Sequence, residues 1–257
     1  MRPCTTPTLT VRNAEFGGAR PLICVPLVAG SLTGLLQQAA RAHALSPDVV
    51  EWRADAFDDL SSDGVARSAQ ALRDVLDREA LIFTLRASNE GGARPLAQQV
   101  RAGIMRAAIG SRQFDMVDLE LANGQDFNAS LIQLAHSQGV RVILSFHDFQ
   151  STPDNGALVA TVAEMVRQGA DIAKVACMPR EPADVLRLLE VTLTARRMFP
   201  AVPLCTMSIG NLGVLTRIAG FLFGSDMSFA VGTAASAPGQ MPIAELRAAI
   251  ETLSRYA

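Results

Sequence analysis

Short apolar runs alternate with longer amphipathic stretches from one end of the chain to the other, and there are eight of each. The runs at 22–28, 49–55, 80–86, 116–121, 141–147, 172–178, 203–209 and 227–232 read as strands. Between them, 62–78, 96–109, 157–168, 181–197 and 243–255 carry apolar residues at helical spacing among Ala, Leu, Arg and Gln. Strands separated by helices run parallel, because each needs a crossover to return in the same direction, and strands covered on both faces read as near-continuous apolar runs. The count predicts an α/β fold, a (β/α)8 TIM barrel occupying 1–257 as a single domain. An open doubly wound sheet is the alternative, but no glycine-rich phosphate turn follows the first strand.

Composition narrows the partner. The 257 residues are 49% hydrophobic, enough to fill one large core, and carry a net charge of −2. That balance argues against an electrostatic grip on nucleic acid or an anionic membrane and points to a small molecule. No apolar run approaches the ~20 residues needed to span a bilayer, and the first residues lack the basic-apolar-small order of a signal peptide, so a cytoplasmic protein is expected. Cys4, Cys24, Cys177 and Cys205 are scattered without a CxxC pair, which favours buried thiols over disulfides or zinc.

The basic residues are the sharpest signal. Of 23, 22 are arginine and one is lysine, Lys174. A chain that uses guanidinium almost everywhere keeps an amine where an amine is required, since a guanidinium stays protonated and a desolvated ammonium can lose its proton. Lys174 lies in the sixth run, flanked by apolar residues. It is either an ion-paired lysine with its head at the rim or a nucleophile whose pKa burial and nearby cations such as Arg86 lower; its singularity favours the second.

In such a barrel the active site lies at the C-terminal ends of the strands, and polar residues collect there. Glu51, Arg53 and Asp55 share one face of the second strand by period two, Arg86 closes the third, Asp118 and Glu120 share a face of the fourth, and His147 with Asp148 closes the fifth. His147 could be a satisfied rim histidine or, with an amine nucleophile across the mouth, a base near neutral pKa suited to removing a proton beside an iminium. Glu90, just past the third strand, could orient that imidazole and favour its charged form, or be a solvated loop acid. Arg217 could hold a carboxylate or merely cover a helix. Ser236 and Gln240, in the Gly- and Pro-bearing stretch after the last strand, could belong to a lid or to a plain connection.

Taken in order, Glu51-Trp52-Arg53-x-Asp55, Phe83-Thr84-Leu85-Arg86 with Glu90-Gly91-Gly92, Asp118-Leu119-Glu120, His147-Asp148-Phe149, Ala170-Asp171-Ile172-x-Lys174 and Ser236-Ala237-Pro238-Gly239-Gln240 resemble the type I 3-dehydroquinate dehydratase family. The resemblance implies a shikimate-pathway enzyme that converts 3-dehydroquinate to 3-dehydroshikimate without metal or organic cofactor, as a homodimer. Lys174 then matches the Schiff-base lysine, His147 the proton-transferring histidine and Glu90 the acid beside it. Glu51, Arg53 and Arg86 match residues around the substrate hydroxyls, and Arg217, Ser236 and Gln240 those that hold the carboxylate end and close the lid. Phe146, before the His-Asp pair, and Ile209, after Met207-Ser208, depart from the family pattern.

Two other functions share some of these features. A class I aldolase has the barrel, a lysine on the sixth strand and imine chemistry, but normally binds phosphate after strands seven and eight. A non-catalytic barrel that senses quinate or shikimate has no reason to keep its one lysine beside His147.

Overall fold

The structure, a computed structural model, describes residues 2–232 and 237–256. A short antiparallel hairpin, β1 (Leu9–Val11) and β2 (Ala14–Phe16), comes first. The barrel strands follow as β3 (Leu22–Leu27), β4 (Val49–Arg53), β5 (Ala80–Thr84), β6 (Met116–Glu120), β7 (Arg141–Asp148), β8 (Ile172–Cys177), β9 (Leu204–Ser208) and β10 (Met227–Phe229). Helices α1 (Leu32–Ala44), α2 (Ser62–Val75), α3 (Gln98–Gly110), α4 (Gln125–Ser137), α5 (Asn155–Arg167), α6 (Pro182–Met198), α7 (Val214–Ala219) and α8 (Ile243–Ser254) lie between and after them.

Eight parallel strands form one sheet in the order β10-β3-β4-β5-β6-β7-β8-β9, which is the expected barrel rather than an open doubly wound sheet, whose strand order reverses. The seam between β9 and β10 lacks a strand ladder and is bridged at its base, where Asp226 donates its N–H to the Leu204 carbonyl at 2.6 Å. The hairpin was not foreseen in the sequence. Its strands are three residues long, too short to show a period, yet Val11, Ala14 and Phe16 pack into the barrel interior with Leu22, Met116 and Ile172 and close the floor.

Period two sorts each strand between two cores. Ile23, Val25 and Leu27 of β3 and Val50 and Trp52 of β4 face the helices, whereas Leu22, Cys24 and Val49 face inward. Trp52 is fully buried and meets Phe57 and Phe83 edge-on at ring-centroid distances of 5.3 and 5.5 Å, so its burial anchors β4 to the helical layer. Helix starts are set by local chemistry: the Ser31, Ser61 and Asp154 side chains accept from the N–H groups of Gly34, Gly64 and Ala157. Pro182 opens α6 after a reciprocal cap between Glu181 and Asp184.

The floor of the barrel repeats one device four times. Asp48, Asp115, Asp171 and Asp226 each directly precede β4, β6, β8 and β10, and each accepts the first free N–H of a neighbouring strand, from Ile23, Leu81, Val142 and Leu204, at 2.8, 2.9, 2.8 and 3.0 Å. Arginines hold each carboxylate from outside: Arg20, Arg73, Arg141 and Arg196. Orphan donors at strand starts are thereby satisfied, which fixes stability at the end of the barrel opposite the site.

Candidate active site

The polar residues singled out in the sequence converge on one pocket at the C-terminal end of the strands. Glu51, Arg53, Arg86, Glu90, His147, Lys174, Arg217 and Gln240 all line it, with Phe149, Met207 and Phe229 as apolar walls. Ser236 lies outside the described residues. Lys174 and His147 enter from adjacent strands, β8 and β7, where Ser145 pairs with Lys174 in register and His147 with Ala176. Both side chains therefore point inward, His147 one layer nearer the mouth.

Lys174 is buried on all sides. Its Nζ donates to Asp118 Oδ2 at 2.9 Å and Glu51 Oε1 at 3.4 Å, and stands 4.7 Å from the centre of the Phe229 ring. The expectation of a depressed amine pKa is corrected here. Burial does oppose the charge, but the carboxylates of Asp118 and then Glu51 outweigh it, and the ammonium is held above its ordinary value. Arg86 also opposes the charge, but it is itself neutralised by Asp118 and Glu120, a pairing the sequence could not reveal.

Arg86 is the strut of the inner wall. Its guanidinium donates to Asp118 and Glu120 and to the Ser145 hydroxyl, each at 2.9 Å, while that hydroxyl donates to Asp118 Oδ1 at 2.6 Å. Asp118 thus receives Arg86, Ser145 and Lys174 together, and its carboxyl lies far below the usual range despite burial. Arg53 spans Asp55 with two hydrogen bonds of 2.9 Å. β4 ends at Arg53, so Asp55 sits in the following 3-10 turn, Ala54–Ala56, rather than on the strand face expected for it.

Glu90 ends the 3-10 turn Ser88–Glu90, and its Oε2 meets His147 twice, at the backbone N–H (3.1 Å) and at Nδ1 (2.8 Å). Orientation of the ring is as expected. Nε2 makes no hydrogen bond with a described residue, so that edge of the imidazole is left for the pocket. The expected preference for a charged imidazole is corrected: burial, and then the charges of Arg86 and Lys174, hold His147 well below its ordinary value. Glu90 is itself pushed up to about 7, chiefly by burial. A neutral imidazole beside an acid that exchanges its proton near neutrality is a proton-transfer pair.

Arg217 is not an outer helix cover. It is 2% exposed, and no carboxylate pairs with it among the described residues. Its partners are Met207 Sδ at 3.6 Å and the Pro238 carbonyl at 3.4 Å, and its buried Nε has none. Burial pulls the guanidinium down to about 10, which still leaves it charged at neutral pH. A buried cation facing a pocket without an acid among the described residues is costly to the fold, and an anionic ligand could offset that cost. The stretch carrying Pro238 crosses closely over the loop after β9: Gly210 donates to the Pro238 carbonyl at 3.1 Å, and a Cβ on Gly239 would come within 2.1 Å of the Gly210 carbonyl oxygen. Gly239 also has φ +80°, so glycine is required there on both grounds.

Comparison with known proteins agrees with this constellation. Residues 23–257 match the model of the type I 3-dehydroquinase family. The chain belongs to the type I 3-dehydroquinase family. It is 40% identical over 250 residues to the 3-dehydroquinate dehydratase of a Geobacillus strain, covering 96% of each chain. The crystal structure of the Geobacillus kaustophilus enzyme of that name superposes with a TM-score of 0.97 at 39% identity over all of both chains. The type I enzyme of Clostridium difficile, solved with covalent modified comenic acid, does so with 0.94 at 31%, again over all of both chains. Membership of this family makes the chain a hydro-lyase.

Some members of the site had no isolated signal in the sequence. Asp118 and Glu120 stood out by period two, but that Asp118 would hold the lysine is a matter of barrel closure. Ser145 and Phe229 carry no charge to mark them; only the register of β7 beside β8 and the closure of the barrel bring them to Lys174.

Proposed function

We propose that the chain dehydrates 3-dehydroquinate to 3-dehydroshikimate through a Schiff base on Lys174. The observation that carries this is the placing of one buried amine, one imidazole and one guanidinium with no carboxylate partner among the described residues around a single pocket. An iminium keeps the charge of the ammonium it replaces, so Asp118 and Glu51, which already balance that charge, need no rearrangement when it forms.

The ammonium must first lose a proton. His147 is neutral and lines the same pocket, so it can accept that proton and return it to the carbinolamine hydroxyl as water leaves. The iminium then acidifies the adjacent carbon, His147 removes its proton, and the resulting enamine expels the β-hydroxyl once His147 protonates it. Hydrolysis of the imine frees the product and Lys174. Arg217 takes the substrate carboxylate, with Gln240 lining the same pocket; Glu51, Arg53 and Arg86 surround the hydroxyls. No resident metal or organic cofactor enters this sequence.

The activity would belong to one catalytic domain of a homodimer in the shikimate pathway, as the family resemblance implies, and to the cytoplasm, as the lack of a signal-peptide pattern in the sequence suggests. No helix among the described residues is long and apolar enough to cross a membrane. The test is product formation: purified chain with 3-dehydroquinate should generate the ultraviolet absorbance of a conjugated enone. Cleavage of a sugar phosphate instead would favour the aldolase reading, and tight binding without turnover the sensor.

A further inference from the structure

Behind Glu90 lies a second cavity that the chemistry above does not use. It occupies about 170 Å³ between the 3-10 turns Ser88–Glu90 and Leu121–Asn123 and the start of α3, and is lined by polar groups including Ser88, Asn89, Gln98 and Arg101. Each ordered water needs about 10–15 Å³ of such volume and two to four polar partners, so several fit. Glu90 belongs to both cavities: it faces the substrate pocket on one side and this cleft on the other. Its Oε2 is committed to His147, whereas Oε1 makes no hydrogen bond with a described residue.

We propose that this cleft is a rear water entrance through which Glu90 exchanges protons with solvent while substrate fills the front pocket. Imine formation, elimination and imine hydrolysis all pass protons through His147 when the front is occupied. From the rear, a cavity water gives a proton to Glu90 as Glu90 gives one to Nδ1 of His147, or the reverse. One O–H or N–H bond breaks for each that forms, so charge and atoms balance. The groups facing Glu90 are Arg86, Asp118, Glu120 and His147, with Arg53 donating to the Gly91 carbonyl at the front and Arg101 holding Glu120 at the rear. Glu120 also borders the cleft, but its oxygens are taken up by Arg86 and the Ala87 N–H on one side and by Arg101 and Asn123 on the other, which leaves Glu90 as the acid shared by both cavities. Its value of about 7 suits exchange at neutral pH.

The inference rests on the proposed dehydration, and the test separates the two. Ala122 is exposed at the mouth of the cleft and far from the substrate side, so Ala122→Phe seals the rear; Ser88→Leu seals it from the opposite turn. In both, kcat should fall about tenfold at unchanged KM, because proton delivery and not binding is impaired. As a second readout, formate should restore kcat of Glu90→Ala at saturating substrate by entering from the rear, and adding Ala122→Phe should abolish that rescue. Normal turnover by the parent chain with unchanged kcat in both sealed variants, or a formate rescue that competes with substrate, overturns the rear entrance and leaves the dehydration standing.

Discussion

The Lys174 ammonium donates to Asp118 Oδ2 at 2.9 Å, and the same oxygen accepts from Arg86 at 2.9 Å. One carboxylate therefore balances a fixed charge and a reactive one. Replacing it with Asn leaves two buried cations sharing the remaining acids. Asp118→Asn should cost about 3–5 kcal/mol of folding stability, measured by urea unfolding. It should also shift the pH at which Lys174 reacts downward, because the largest favourable influence on its ammonium is gone.

Arg217 gives the opposite sign for stability. Its guanidinium is buried without an acid among the described residues, so Arg217→Met should leave the fold as stable or more so while weakening substrate binding. A charge-assisted hydrogen bond contributes about 1.5–3 kcal/mol, so KM should rise roughly 10–100-fold. Parallel losses of stability and affinity would assign Arg217 to the fold instead.

For His147 the direction of the pKa shift fixes the pH response. Its folded value lies below the ordinary 6.5, so its contribution to stability is fully present above pH 6.5 and is lost as pH falls through the depressed value. The acid limb of kcat/KM, which reports the free enzyme, should accordingly lie below pH 6.5. Imidazole resonances followed by NMR check this directly; titration of His147 at or above 6.5 would be inconsistent with the burial of the ring and the nearby charges of Arg86 and Lys174.

The floor and the rim should respond separately. Asp226 accepts from Leu204, the Thr5 hydroxyl and Arg196, all far from the pocket lining. Asp226→Ala strands the buried Arg196 and should lower stability by about 3–5 kcal/mol, with kcat of the folded fraction unchanged. Thermal unfolding and an assay below the transition measure the two effects.

Much of this was legible in the chain because barrel strands are covered on both faces, so eight apolar runs mark eight strands and the polar residues at their ends mark the rim. The lone lysine identified itself by composition. Charge balance was not legible, since it depends on which strands adjoin: Lys174 reads as a depressed amine until Asp118 and Glu51, 56 and 123 residues away along the chain, are brought beside it. The same holds for His147, where burial and then proximity to Arg86 and Lys174 outweigh the opposing carboxylate of Asp118. The hairpin floor escaped because three-residue strands are too short for a pattern, and the fourfold Asp device because each member precedes a strand and pairs with another.

Borohydride reduction during turnover of 3-dehydroquinate, followed by intact and peptide mass analysis, addresses the chemistry itself. Reduction freezes an imine as a secondary amine, and with one lysine in the chain the site of attachment is unambiguous. A substrate-sized adduct on Lys174, absent from Lys174→Arg together with turnover, is the expected result. Undiminished turnover without any adduct, or in Lys174→Arg, would contradict the Schiff-base route.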